Sequence, residues 1–136
     1  LAGQRVLVVE DGPTLTHGGM PFGAGTVAAK AAGASQIVDP RPFAVGSIAT
    51  TFTTYPDTGA VLPAMGYGAA QLADLEATIQ AAQVDVVVSG TPMDLGRLID
   101  PCHPLRRATY ELREVGSPTL ADVLAPHVAR WARARD

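Results

Sequence analysis

Runs of apolar residues that are bounded by turn residues predict four β-strands. Three of these runs, "RVLVVE" (5–10), "SQIVD" (35–39) and "DVVVSG" (85–90), are apolar almost throughout. That pattern is typical of parallel strands that are covered on both faces of a sheet. The fourth run, "ATYELREV" (108–115), alternates between apolar and polar positions and therefore predicts an edge strand.

Between these runs, apolar residues recur at three- and four-residue spacing and predict helices. "AGTVAAKAAGA" is expected to be a helix that stops at Gly33, and "YGAAQLADLEATIQAAQ" (67–83) a second helix. "TLADVLAPHVARWARARD" (119–136) predicts a last helix, with Pro126 causing a kink or a broken first turn. The stretch "FAVGSIATTFTTYP" (43–56) is ambiguous and could be a helix that ends before Pro56. The apolar stripe of the last helix consists of Leu120, Val123, Leu124, Val128 and Trp131.

Strands that alternate with helices predict one α/β domain over residues 1–136. We expect a three-layer, Rossmann-like sandwich with a mainly parallel sheet of about four strands in the order 2-1-3-4. In such a sheet, ligands bind beyond the carboxyl ends of the strands, here between strands 1 and 3. The loops that reach this edge are polar and rich in glycine: "EDGPTLTHGGMPFGAG" (10–25), "DPRPFAVGS" (39–47) and "SGTPMDLGRLID" (89–100).

The first of these loops combines glycines with ionisable side chains. Its glycines allow backbone N–H groups to approach a ligand, and the following helix adds a positive dipole end, which would stabilise a phosphate. Glu10 or Asp11 could bind Mg²⁺, and His17 could act as a general acid or base. The candidate catalytic residues are His17, Asp11 and Glu10. The candidate substrate- or phosphate-binding residues are Thr14, Thr16, Gly18, Gly19, Asp39, Arg41, Thr91 and Asp94.

Each of these residues also has a structural interpretation. A glycine-rich turn can serve only to join a strand to a helix, and the acids can cap that helix. Arg41, between two prolines, is expected either over the crevice or in a solvated turn. Asp94 is expected to cap the short helix "LGRLI" rather than to reach a ligand. Arg106 and Arg107 could reach an anionic substrate or form a solvated pair.

The sequence motifs for nucleotide binding are incomplete in this chain. Gly18 and Gly23 have the spacing of a P-loop, but Ala24 and Gly25 stand where Lys and Ser/Thr are needed. Gly23, Gly25 and Ala28 match half of a dinucleotide-binding pattern, well after the end of the strand. A metal site on this chain is not predicted.

Composition narrows the range of partners. The chain has 136 residues, a mass of 14.0 kDa, a formal net charge of -3 and a pI near 5.5. This balance predicts neither a nucleic-acid nor a membrane partner. The lone Cys102 and the lack of a leader favour the cytoplasm. The start at Leu1 is expected of a piece of a longer polypeptide, although processing would look the same.

The stretch "TTFTTYPDTGAVLPAMGYG" (50–68) is read as a long loop, either a lid or an interface. We expect Val61, Leu62 and Met65 to be buried against another domain or against another subunit. That subunit could be a second copy of this chain in a homo-oligomer.

The runs "VLVVEDGPTLTHGGMPFGAG", "IVDPRPFAVGSI", "VLPAMGYG" and "SGTPMDL" resemble the C-terminal part of a family of predicted GTPases. That family is similar to the archaeal cyclic 2,3-diphosphoglycerate synthetases. The resemblance implies a preceding P-loop domain that binds ATP or GTP with Mg²⁺. For the synthetases it implies ATP-driven closure of an intramolecular phosphoanhydride.

The sequence therefore predicts a domain that binds a phosphorylated small molecule within an NTP-dependent enzyme and is inactive alone. The alternatives are a structural or oligomerisation domain without a ligand site and a free-standing Rossmann-type nucleotide-binding protein.

Overall fold

A computed structural model describes residues 1–134, in which a five-stranded sheet lies between two layers of helices. The strands are β1 (Arg5–Asp11), β2 (Gln36–Ile37), β3 (Leu62–Ala64), β4 (Val86–Ser89) and β5 (Leu105–Arg107). The helices are α1 (Gly12–Thr16), α2 (Ala24–Ala31), α3 (Gly46–Thr54), α4 (Ala69–Ala81) and α5 (Leu120–Arg133). Short 3₁₀ turns cover Arg41–Phe43 and Leu95–Arg97.

The sheet is parallel and has the order β2-β1-β4-β5, with β3 also paired to β1. The α/β class, the mainly parallel sheet and the predicted order 2-1-3-4 are confirmed, with β5 (105–107) in the fourth position. β2 pairs with the first residues of β1, and β3 pairs with its last residues, Val9, Glu10 and Asp11. Both short strands therefore share one edge of β1.

Alternate residues of β1 and β4 face two different cores. On one face, Leu7, Val9 and Val87 pack against α3 and α4. On the other face, Val6 and Val8 pack with residues of α1 and α2. A strand that is buried on both faces must be apolar at almost every position, which explains the unbroken runs of the sequence.

The predicted fourth strand is wrong in its position. β5 occupies 105–107, and no strand forms over 108–115 within the described part of the chain. β4 is short, so β5 pairs with it only up to Ser89. Beyond that point the chain has no neighbouring strand, and Tyr110 and Leu112 are 76% and 81% exposed. An alternating pattern alone does not form a strand without a partner.

The long loop that was predicted over 50–68 is also wrong, because it contains the end of α3 and the whole of β3. Val61 and Leu62 are 2% and 0% exposed and belong to the core. They pack inside the domain and are unavailable to another subunit, whereas Met65 is half-buried.

The last helix forms where it was predicted, but its surroundings differ. Thr119 and Asp122 make a capping box that starts α5, and the helix runs without a break through Pro126. The apolar stripe of α5 is exposed along its length. Residues 135–136 of the predicted helix lie outside the described residues. Within residues 1–134, no helix has the length and apolar character needed to cross a bilayer.

Candidate functional site

A cleft of about 400 Å³ opens at the carboxyl edge of the sheet, between the segments that follow β1, β4 and β5. Its lining residues are Glu10, Asp11, Thr14, Met20, Phe22, Gly23, Ala24, Val27, Gly90, Pro92 and Tyr110. We call it the acidic cleft. The loops after β1 and β4 meet there, as expected, whereas the loop over 39–47 contributes none of its lining residues.

Glu10 lies at the bottom of the cleft and is 2% exposed. Its carboxylate accepts hydrogen bonds from the backbone N–H groups of Gly23 (3.0 Å), Gly25 (3.3 Å) and Thr26 (2.8 Å). These donors are the first turn of α2, where a helix has unpaired N–H groups and a positive dipole end. The side chain of Glu10 therefore fills the position in which a phosphate was expected.

The glycines of this region pack closely around the carboxylate of Glu10. A Cβ atom at Gly23 would lie 2.6 Å from Glu10 Oε2, and one at Gly90 would contact the same oxygen. A Cβ atom at Gly25 would lie 2.9 Å from the side chain of Val8. Because these residues have no side chain, the α2 amides and the loop after β4 can approach Glu10. This explains the two glycines of "PFGAG".

Asp11 is the acid whose carboxylate keeps the most capacity for a ligand. It is half-buried at the end of β1, and its Oδ2 accepts a hydrogen bond of 3.1 Å from the hydroxyl of Thr14. Both residues line the acidic cleft. A carboxylate can accept several hydrogen bonds, so Asp11 can bind a further donor or cation.

The charge of the cleft has one sign. Among the lining residues that the structure describes, Glu10 and Asp11 are acidic, and none is Lys, Arg or His. The rest of the wall is largely apolar, with Met20, Phe22 and Val27 at the rim. Such a wall suits a ligand group that is positively charged or rich in hydrogen-bond donors.

His17, Thr16, Gly18 and Gly19 lie outside this cleft. The Thr16 hydroxyl donates to the Gly12 carbonyl and lies 2.8 Å from Nδ1 of His17. The His17 ring is exposed, with its centroid 6.1 Å from that of the Tyr55 ring. Thr16 and Gly19 instead line a separate pocket of about 200 Å³. The loop after β1 thus serves two pockets rather than one.

Asp39 and Arg41 bind each other instead of facing the crevice. Their side chains form an ion pair of 3.1 Å. The Arg41 guanidinium also donates to the carbonyls of Pro56, Thr58 and Gly59. The interpretation of Arg41 as an arm over the crevice is therefore wrong, because its donors fasten the 39–43 segment to the loop before β3.

Thr91 and Asp94 also differ in their roles. The Thr91 hydroxyl lies 2.9 Å from the hydroxyl of Tyr67 and accepts the N–H of Met93. Asp94 occupies the position before the Leu95–Arg97 turn, but its side chain makes no capping hydrogen bond. It pairs with Arg97 at 3.3 Å instead, so the predicted cap is wrong.

The wall residues of the cleft were not found from the sequence. Met20, Phe22, Val27 and Tyr110 come from a loop, a helix and the segment after β5. Nothing in their spacing marks them as neighbours. Within residues 1–134, no three His, Cys, Asp or Glu side chains come together as metal ligands.

Fold and cleft define this chain as a doubly wound α/β domain with an acidic cleft at the carboxyl edge of its sheet. The chain is similar to the protein named Arginine synthetase ArcE from Thermococcus kodakarensis, at 56% identity over 133 residues. The match covers 98% of this chain and 29% of that protein. The chain thus spans less than a third of the length of this relative and matches one part of a larger protein.

No protein-family model matches the chain, and no solved structure matches it significantly. This match agrees with one part of the expectation, namely that the chain corresponds to a domain of a larger protein that is named as a synthetase. The likeness to cyclic 2,3-diphosphoglycerate synthetases and to GTPases stays a prediction.

Proposed function

We propose that this chain is the substrate-binding domain of a larger, ligase-like synthetase and that it does not complete the reaction alone. The observation that carries this proposal is the acidic cleft, in which Glu10 and Asp11 are the only charged lining residues among residues 1–134. Its position at the carboxyl edge of a parallel sheet is where ligands bind in this architecture.

The proposed ligand group is a guanidinium or a similar group with several N–H donors. Asp11 offers carboxylate oxygens to such a donor, because its only side-chain partner within residues 1–134 is the hydroxyl of Thr14. Planar guanidinium and carboxylate groups form paired, charge-assisted hydrogen bonds. The apolar rim would pack against the carbon chain of the same ligand. The name of the Thermococcus relative, a synthetase of arginine, supports a guanidino compound as the ligand.

Phosphate binding at the start of α2 receives less support from the geometry. The amides of Gly23, Gly25 and Thr26 are already bound to Glu10. A phosphate there would have to displace a buried carboxylate and would meet the charge of Asp11 as well. The same amides would serve a dinucleotide pyrophosphate, so this argument also weakens a free-standing nucleotide-binding role.

ATP or GTP with Mg²⁺, which a synthetase requires as its energy source, is proposed to bind outside this chain. Of the two acids in the cleft, Glu10 already accepts three backbone N–H hydrogen bonds, which leaves Asp11 as the carboxylate with more free acceptor positions. Mg²⁺ is usually held by one or two carboxylates together with substrate phosphates. A neighbouring domain that binds the nucleotide would supply those phosphates.

The test is titration of the chain with L-arginine by isothermal calorimetry. We expect Asp11→Asn to weaken binding by about tenfold, the effect of losing one charge-assisted hydrogen bond. Asp57→Asn is the matched control, because Asp57 is an exposed acid outside the acidic cleft. Equal affinity of Asp11→Asn and wild type, or no binding by wild type, would refute the proposal.

A further inference from the structure

A second cleft, of about 220 Å³, adjoins the acidic cleft. It is lined by Thr91, Pro92, Arg107, Ala108, Thr109 and Tyr110. Pro92 and Tyr110 line both clefts, so the two form neighbouring compartments at the same edge of the sheet. The second compartment has the opposite charge, because Arg107 is its one charged lining residue in the described part of the chain.

Arg107 is held at the end of β5 with most of its donors unused. It pairs in register with Ser89, and its Nη2 donates to the Pro92 carbonyl at 2.6 Å. Within residues 1–134, its side chain makes no other hydrogen bond and no ion pair. A guanidinium carries five N–H donors in a planar fork that matches a carboxylate or a phosphate.

The walls of this compartment are also suited to an anion. The Thr91 hydroxyl is held by Tyr67 and Met93, which keeps the wall next to Pro92 in place. Thr109 lines the same compartment, and a threonine hydroxyl can donate to an oxygen. Arg106 is exposed like Arg107 but lines neither cleft.

We propose that Arg107 forms an oxyanion subsite next to the acidic cleft. The group that binds there is the carboxylate of a ligand whose cationic end occupies the acidic cleft, or a phosphate. The carboxylate form rests on the proposed function, whereas the phosphate form does not. A ligand with opposite charges at its ends would be held in one direction only, because each compartment repels the end that the other attracts.

The experiment compares three probes: L-arginine, agmatine (arginine without its carboxylate) and inorganic phosphate. Each is titrated by calorimetry into wild type, Arg107→Gln and the matched control Arg106→Gln. We expect Arg107→Gln to weaken L-arginine binding by about tenfold and to change agmatine binding by less than about twofold. Arg106→Gln should change neither. Unfolding midpoints by circular dichroism verify that each variant is folded.

The outcomes separate the subsite from the proposed function. If Arg107→Gln leaves L-arginine binding unchanged, or weakens agmatine equally, and phosphate binding does not require Arg107, the subsite is refuted while guanidino binding stands. If neither guanidino compound binds but phosphate binds and requires Arg107, the proposed function is refuted and the subsite holds a phosphate. If none of the three probes binds wild type, both are refuted.

Discussion

Replacing Glu10 by Gln tests whether its carboxylate stabilises the N-terminus of α2. The two side chains have the same shape, so the change removes charge and one acceptor oxygen while it leaves the packing intact. In the wild type, Oε1 accepts from Gly23 and Thr26, and Oε2 accepts from Gly25. The Gln oxygen can keep the first two bonds, but its NH₂ group then faces the N–H of Gly25.

The expected cost follows from this count. One buried N–H group without an acceptor costs about 1–3 kcal/mol. Removing a negative charge from a helix N-terminus costs about a further 0.3–1 kcal/mol. We therefore expect Glu10→Gln to lower the free energy of unfolding by about 1.3–4 kcal/mol. That would be a large share of the stability of a small domain.

Urea denaturation followed by far-ultraviolet circular dichroism measures this change. Glu111→Gln is the matched control, because Glu111 is exposed and its effect should stay within about 0.5 kcal/mol. As a second readout, formate should stabilise Glu10→Ala more than wild type, because a small carboxylate can occupy the vacated acceptor position. The reasoning is refuted if Glu10→Gln unfolds within about 0.5 kcal/mol of wild type.

Three further predictions concern the scaffold. Hydrogen bonds from the Ser47 backbone N–H and hydroxyl lower the pKa of Asp74, so it stabilises the fold at neutral pH and loses this effect on protonation. Asp74→Asn should be less stable at pH 7, with a difference that shrinks below about pH 4 in urea titrations at several pH values. Leu62→Ala should cost about 2–5 kcal/mol, against less than about 0.5 for Leu124→Ala on α5, as measured by thermal and urea unfolding. Arg41→Gln should lower stability by about 1–2 kcal/mol yet leave L-arginine affinity unchanged in calorimetry, since its donors bind backbone carbonyls of the domain.

The core strands could be predicted because burial on both faces produces a pattern of apolar residues that can be recognised in the sequence. Residues 6–9 of β1 and 86–88 of β4 form unbroken apolar runs, as a strand that is buried on both faces requires. The helix α4 was found for a similar reason, since Leu75 and Ile79 are spaced to share one buried face.

β3 and β5 could not be predicted in this way. Each is three residues long, too short to show a period, and each forms because a longer strand offers it free backbone groups. The pairing of Leu62 with Val9 is a contact between distant parts of the chain. Only the packed sheet decides it.

The location of the candidate site was determined by the sequence, and its chemistry by the tertiary structure. Alternating strands and helices, with polar loops after β1 and β4, are enough to predict which edge of the sheet carries a cleft. The roles of individual residues depend on which donor and acceptor end up nearest to each other. The Glu10 carboxylate accepts hydrogen bonds from the amides of α2, and the Arg41 guanidinium donates to backbone carbonyls, so both groups have partners within the domain. The side chains of Asp11 and Arg107 each have one hydrogen-bond partner within residues 1–134, and we propose that they bind the ligand.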